Sequence, residues 1–160
     1  MGSTSDLPVM EKACKWLDDN EIPFEVNALS AHRTPDAVEA FAKGAQERGI
    51  KVIIAAAGMA AALPGVIAAS TNLPVIGVPI KGMLDGLDAM LRINQMPPGI
   101  PTATVGVNAA QNAAILAAQI IGLSDSAVAA KVAAHKAGLG AKIEKANKDL
   151  AEVKYNFKTN

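Results

Sequence analysis

A run without charged side chains, residues 52–80, most constrains how this chain can fold. Continuous apolar segments, residues 52–56 and 75–78, lie near its two ends, and a segment opened by Pro64 lies between them. Strands that are apolar on both faces are typical of a parallel sheet covered by helices on both sides. Glycine and proline interrupt the run, so we interpret it as strand, helix and strand rather than as a membrane span.

The rest of the chain shows the same alternation of apolar strands and amphipathic helices. We predict helices over residues 7–20, 35–48, 64–70, 85–93, 109–121 and 124–153, and strands over residues 24–29, 52–56, 75–78 and 102–107. This order predicts an α/β fold, a three-layer sandwich around a parallel sheet. Aromatic residues make up only 3% of the chain, so the core must be a close packing of small and aliphatic side chains.

Composition excludes several classes of function. The formal net charge is zero, so the surface lacks the basic excess that nucleic-acid binding requires. A single cysteine excludes an internal disulfide framework and fits a reducing compartment. No basic segment followed by an apolar one opens the chain, and we expect a cytoplasmic protein.

The 160 residues suit one domain with two parts. We assign residues 1–123 to an α/β catalytic part and residues 124–160 to a helix and tail. A narrow apolar stripe runs along one side of the last predicted helix. Its residues are Val128, Val132, Leu139, Ile143 and Leu150. Such a stripe on an outer helix predicts packing against a neighbouring subunit.

The turn at residues 29–36 carries the strongest chemical signal. Ser30, His32 and Arg33 lie where a predicted strand ends and a helix begins, with Thr34 placed to cap that helix and Pro35 to open it. A helix N-terminus with a nearby guanidinium favours an anion. We predict that Ser30 and Arg33 bind phosphate and that His32 transfers protons.

Two further polar or small-residue turns, residues 2–6 and 57–62, fall at the same edge of the predicted sheet. Ligands of parallel α/β sheets bind beyond the carboxyl ends of the strands. The convergence of three unusual loops there predicts a binding site at that edge.

Five strings of residues resemble one family when they are taken in order. Together they resemble the 5-(carboxyamino)imidazole ribonucleotide mutases of purine biosynthesis, the catalytic subunit of phosphoribosylaminoimidazole carboxylase. The strings are Gly-Ser-Thr-Ser-Asp (2–6), Ser-Ala-His-Arg-Thr-Pro (30–35), Ala-Gly-Met-Ala-Ala-Ala-Leu-Pro-Gly (57–65), Gly-Val-Pro-Ile (77–80) and Gln-Met-Pro-Pro-Gly-Ile-Pro (95–101).

This resemblance implies a flavodoxin-like fold, a homo-octamer and a reaction without cofactor or metal. A carboxylate moves from the exocyclic nitrogen of an aminoimidazole ribonucleotide to the adjacent ring carbon, through carbon dioxide trapped in the site. The resemblance also implies a functional link to the ATP-dependent carboxylating synthetase of the same pathway.

The resemblance implies a role for each matching residue. Ser3, Ser30 and Arg33 would bind the phosphate, Asp6 the ribose hydroxyls, and His32 would serve as general acid and base. The remaining substrate contacts would come from the small-residue loop and the residues after it, where short side chains let the backbone approach a flat ring. Those residues are Gly58, Met59, Ala60, Ala61 and Leu63.

The chain departs from the family pattern at three places. Ala62 stands where many relatives have a second histidine, and residues 91–94 are less apolar than usual before residues 95–101, our candidate lid. Relatives also have a whole strand before the turn at residues 2–6, where this chain has only Met1. We therefore expect a trimmed start and a sheet without its first strand.

Two other functions stay open on the sequence alone. One is a carboxylase that uses free carbon dioxide directly, and the other is a non-catalytic module that binds a nucleoside monophosphate on the same fold. Outside the site, we expect His135 to be structural and Cys14 to be a small core residue.

Overall fold

The computed structural model describes residues 1–160, which form six α-helices and three β-strands. A short 3-10 helix, Thr4–Asp6, precedes the first α-helix. The strands are β1 (Ile53–Gly58), β2 (Val75–Ile80) and β3 (Ala103–Thr104), and the helices are α1 (Leu7–Asp19), α2 (Pro35–Gly44), α3 (Leu63–Ser70), α4 (Leu87–Asn94), α5 (Ala110–Gly122) and α6 (Ser126–Glu152).

The three strands form one parallel sheet in the order β1-β2-β3. Ile53 pairs with Val75 and Gly58 with Ile80, so β1 and β2 run side by side over their whole length. The uncharged run is therefore strand, helix and strand, as predicted. None of the helices combines the length and apolar character that a membrane span requires.

The prediction of a strand over residues 102–107 is wrong in length, because only Ala103–Thr104 forms β3. The backbone beyond β3 still bonds to β2, since the Val105 N–H donates to the Gly77 carbonyl at 3.2 Å. It then turns, and regular pairing ends.

The prediction of a strand over residues 24–29 is also wrong, because this segment has almost no backbone partner and forms no strand. Met1 supplies the only pairing: its ammonium donates to the Asn27 carbonyl at 2.9 Å, and its carbonyl accepts from the Leu29 N–H at 2.9 Å. On the other side, the Gly2 N–H donates to the Ala56 carbonyl at 3.1 Å. Met1 and Gly2 thus form a single rung between residues 24–29 and β1.

That rung gives the backbone segments the spatial order of a flavodoxin-like sheet, with the chain start between residues 24–29 and β1. Beside the rung lies an apolar cavity of about 520 Å³, between residues 24–29 and β1. Burial lowers the pKa of the Met1 ammonium, and attraction to Asp6 partly offsets that shift.

Helices cover both faces of the sheet, which confirms the three-layer sandwich. Side chains alternate between faces along β1, so Ala56 meets the layer of α1 and α5, whereas Ala55 meets the layer of α2, α3 and α4. Close packing of small residues dominates the first layer. Its α5 contribution is Ala110, Ala113, Ala114, Ala117 and Ala118, all buried.

Helix α6 begins at an Asp125 cap, whose Oδ1 accepts from the Ala127 and Val128 N–H groups. It has 27 residues and none of them is buried. Its first half packs against α5 and α1, where the Trp16 Nε1–H donates to His135 Nδ1 at 3.2 Å. This contact confirms a structural role for His135.

Gly77 on β2 offers a test of how closely the layers pack. A Cβ at this position would overlap the Cγ2 atom of Ile93, a fully buried residue of α4. We expect Gly77→Ala to destabilise the fold by about 1–3 kcal/mol, because the core has no room to relax. Urea unfolding followed by circular dichroism measures this free energy.

Gly138→Ala is the matched control, since a Cβ there meets nothing within 4 Å and lies in a helix interior. It should stabilise α6 by up to about 1 kcal/mol. Equal unfolding midpoints for the two variants would contradict the packing described here.

Candidate active site

The polar turn residues gather at the carboxyl edge of the sheet, where the loops after residues 1–2, residues 24–29 and β1 all emerge. The first two loops are joined directly. The Arg33 Nη2 atom donates to the Gly2 carbonyl at 3.1 Å, and Arg33 Nε donates to the Ser30 hydroxyl oxygen at 3.2 Å. The structure therefore brings Ser30 and Arg33 next to the turn that carries Ser3.

The turn around Ser30 is closed by its own side chains. The Ser30 hydroxyl oxygen also accepts from the Arg33 backbone N–H at 3.2 Å. Thr34 Oγ1 accepts from the Ser30 N–H at 3.0 Å and donates to the Ser30 carbonyl at 3.2 Å. Thr34 is the N-cap residue of α2, as predicted, but its side chain makes no capping bond because the hydroxyl is used inside the turn. Pro35 does open α2, as predicted.

The guanidinium of Arg33 keeps most of its binding capacity. It carries five N–H donors, and the two bonds described above leave the others free. Arg33 is exposed and no acidic side chain forms an ion pair with it. A held, uncompensated guanidinium beside a hydroxyl suits an anion such as phosphate.

Ser3 and Asp6 occupy the neighbouring turn. The Ser3 hydroxyl oxygen accepts from the Ser5 N–H at 3.2 Å and so caps the 3-10 helix, while its own proton stays available to donate. Asp6 is only 9% exposed, and its side chain makes no capping bond to α1. Its one hydrogen bond is a long one, 3.5 Å, from the Ser5 hydroxyl. The carboxylate therefore has acceptor capacity left for hydroxyl groups.

His32 lies in the same turn, between Ala31 and Arg33, and is exposed. Its imidazole makes no hydrogen bond within the chain. Both ring nitrogens are therefore available to a ligand, in contrast to the partnered imidazole of His135. The structure sets His32 beside the proposed phosphate-binding residues but does not bond it to them.

The small-residue loop after β1 has an unusual backbone. Met59 and Ala61 both have positive φ, 54° and 40°, and the Ala61 N–H closes the turn on the Gly58 carbonyl at 2.9 Å. Such conformations cost about 1–2 kcal/mol for each non-glycine residue and collect at functional sites. Met59 and Ala60 are exposed, whereas Ala61 and Leu63 are buried. We expect Leu63 to contribute through its backbone, because its side chain belongs to the core.

The large apolar cavity is not this site. None of Ser3, Asp6, Ser30, His32 or Arg33 lines it, and it opens between residues 24–29 and β1 instead. Of the predicted site residues only Leu63, whose side chain belongs to the core, lines this cavity.

One residue of this edge escaped prediction from the sequence. Asn108, in the loop after β3, accepts from the Lys81 N–H through Oδ1 at 2.9 Å and has a φ of 57°. An asparagine is one of few residues that tolerate this left-handed conformation. Its position just after a glycine and a valine at a strand end was the only available signal.

Comparison with known proteins places the chain in a family. The AIR carboxylase family model matches residues 1–142. An N5-carboxyaminoimidazole ribonucleotide mutase from Pyrococcus abyssi is 60% identical over 124 residues, 77% of this chain and 71% of that protein. One from Thermotoga maritima is 49% identical over 156 residues, 97% of this chain and 91% of that protein. Treponema denticola PurE has a similar structure, with TM-score 0.82, 30% identity and 94% of each chain covered.

Arg33→Lys tests the guanidinium as a phosphate contact. We expect binding of a ribonucleoside 5′-monophosphate to weaken about 10-fold to 100-fold, because a lysine cannot hold Ser30, Gly2 and an anion together. Isothermal titration calorimetry measures the change.

Arg48→Lys is the control, since Arg48 pairs with Glu25 away from the site. It should leave the dissociation constant unchanged. Equal affinity in the two variants would remove Arg33 from the binding site.

Proposed function

This chain belongs to the AIR carboxylase family, and from that premise we infer that it is a mutase of purine biosynthesis. It converts N5-carboxyaminoimidazole ribonucleotide to 4-carboxy-5-aminoimidazole ribonucleotide, an isomerisation. Relatives named for this mutase are 49% to 60% identical to the chain. The observation that carries the proposal is the turn in which a free imidazole lies next to a guanidinium that bridges two loops.

The phosphate end of the substrate binds at the turn that carries Ser30 and Arg33. Arg33 and Ser30 form a preorganised pair, and the Ser3 hydroxyl lies in the adjoining turn. Asp6 accepts from the ribose hydroxyls. Groups already held in place spend little entropy when the anion arrives, so the nucleotide is positioned for chemistry.

His32 carries the protons. As the bond from the exocyclic nitrogen to the carboxylate breaks, carbon dioxide forms and the nitrogen takes a proton from the imidazolium. The neighbouring ring carbon then attacks carbon dioxide, and the neutral imidazole removes the proton from that carbon. One imidazole suffices for both transfers because the first transfer leaves it neutral and able to accept the proton of the second.

The loop of Gly58, Met59, Ala60 and Ala61, with Leu63 behind it, supplies the enclosure for the ring and for carbon dioxide. Small apolar side chains exclude water without adding competing polar groups. Ala62 has no group that can transfer a proton, so this chain relies on His32 alone. The proposed route uses no cofactor and no metal.

His32→Asn separates this mutase from a module that only binds nucleotides. We expect kcat to fall by about 100-fold to 10,000-fold with KM little changed, since asparagine keeps polarity but carries no proton. The measurement is the conversion of N5-carboxyaminoimidazole ribonucleotide, followed by the absorbance of the product. Full activity in this variant would rule out the imidazole as acid and base.

The same assay distinguishes the mutase from a carboxylase. The wild-type chain should act on the carboxylated substrate without added bicarbonate and should gain nothing from it. Turnover of aminoimidazole ribonucleotide that depends on bicarbonate would instead indicate the carboxylase.

We also propose that the chain forms a homo-oligomer, an octamer as the resemblance implies, in the cytoplasm. Leu139, Ile143 and Leu150 lie on one side of α6 and are 48%, 64% and 60% exposed. Burying this stripe against a neighbouring subunit would remove it from water. The α/β part, residues 1–123, then holds the catalytic site, and residues 124–160 hold subunits together. A partner in the pathway would be the ATP-dependent synthetase that makes the substrate.

The double variant Leu139→Asp, Ile143→Asp tests the stripe. We expect a smaller assembly by light scattering coupled to gel filtration, because buried carboxylates oppose association. Lys148→Glu, on the opposite side of α6, should leave the mass unchanged. An unchanged mass in the double variant would show that α6 does not join subunits.

A further inference from the structure

Asn108 holds the backbone on both sides of Ile80, the last residue of β2. Its N–H donates to the Pro79 carbonyl at 2.8 Å, and its Oδ1 accepts from the Lys81 N–H at 2.9 Å. Asn108 thus adds hydrogen bonds to the end of β2, beyond the point where the short β3 stops pairing with it. It fixes the point where the chain leaves the sheet and enters residues 81–86, which we call the 81–86 loop.

The far end of this loop rests on the residue before Asn108. A Cβ on Gly86 would lie 2.7 Å from Val107 Cγ1 and 3.2 Å from the Lys81 Cα. Both ends of the 81–86 loop therefore lie together, against two consecutive residues of the loop after β3. The left-handed φ of Asn108, 57°, is what aims its amide at Lys81 while Val107 meets Gly86.

One backbone hydrogen bond closes the interior of the 81–86 loop, from the Gly86 N–H to the Met83 carbonyl at 3.0 Å. Leu84 and Asp85 both have positive φ, 46° and 54°, which is strained for residues with side chains. The Lys81–Asp85 ion pair, 3.0 Å, is 59% and 87% exposed at its two side chains and so contributes little. Contacts at the two ends of the loop add to this single backbone bond in keeping its conformation.

The loop touches the small-residue loop of the active site. A Cβ on Gly82 would lie 3.8 Å from Met59 Cγ, within ordinary van der Waals range, so Gly82 and the Met59 side chain are neighbours. Met59 has a positive φ, is 61% exposed and lies in the loop that encloses carbon dioxide in the proposed reaction. A shift of the 81–86 loop would remove the support behind Met59.

We propose that Asn108 is a positioning residue for carbon dioxide retention. Through the 81–86 loop it keeps Met59 in place, and Met59 closes the site while the carboxylate is free. This inference rests on the proposed mutase function. Loss of the Asn108 acceptor should let carbon dioxide escape after the first bond breaks, so that aminoimidazole ribonucleotide leaves the enzyme in place of product.

Three substitutions of Asn108 distinguish the effect of its side-chain acceptor from the effect of its left-handed backbone conformation. Asn108→Gly keeps the left-handed conformation but has no acceptor, Asn108→Asp keeps an acceptor oxygen, and Asn108→Ala loses both. The full chain is supplied with N5-carboxyaminoimidazole ribonucleotide, and both the carboxylated product and aminoimidazole ribonucleotide are quantified. Hydrogen exchange of the Lys81 amide is measured in the same variants, independently of activity.

We expect Asn108→Gly to raise the fraction of decarboxylated nucleotide about fivefold, the scale of one lost hydrogen bond, with KM little changed. Its Lys81 amide should exchange faster. Asn108→Asp should restore both values toward wild type. The Asn108→Ala variant should leak at least as much as Asn108→Gly, provided that it folds.

Two results would overturn the inference. In one, Asn108→Gly partitions like wild type although its Lys81 amide exchanges faster; in the other, Asn108→Asp leaks as much as Asn108→Gly. Failure of the proposed function is distinguishable, because wild type would then convert no substrate, whereas an error about Asn108 leaves wild-type turnover intact.

Discussion

Three backbone hydrogen bonds at Met1 and Gly2 join parts of the molecule that otherwise have no common partner. They tie Asn27 and Leu29 on one side to Ala56 of β1 on the other. The turns that carry the proposed phosphate and ribose contacts are thereby held at one edge of the sheet. The Met1 ammonium is partly buried beside an apolar cavity, and this burial lowers its pKa.

The site that this rung assembles has one rigid and one free component. Arg33 is hydrogen-bonded to Ser30 and to the Gly2 carbonyl, so the proposed anion-binding end has its geometry before any ligand arrives. His32, one residue away, has no partner in the chain. This division suits a reaction in which the nucleotide must stay fixed while one side chain gives a proton to a nitrogen and takes one from a carbon.

Loops with strained backbone conformations also lie at this edge, directly after strands β1 and β2. Met59 and Ala61 adopt left-handed backbone conformations directly after β1, and Leu84 and Asp85 do so after β2. The free-energy cost of these conformations is offset by an interior of closely packed alanine, valine and isoleucine, in which α5 lies against α1 and β2. This interior is closely packed and deforms little. The conformation of the loops at the carboxyl edge therefore depends on how the helices pack against the sheet.

Patterns that are local in the chain predicted most of the architecture and indicated the residues proposed for the site. Unbroken apolar runs specified β1 and β2, Pro35 specified the start of α2, and the resemblance identified Ser30, His32 and Arg33. Only the tertiary structure revealed that residues 24–29 do not pair as a strand, that β3 has two residues, that Thr34 bonds inside its turn and that Asn108 bonds to Lys81. Each depends on a hydrogen bond to a particular partner, for three of them at a distance along the chain, as with Asn108 and Lys81. Periodicity reports which face of an element is apolar, but only the assembled fold decides whether a backbone group finds its partner.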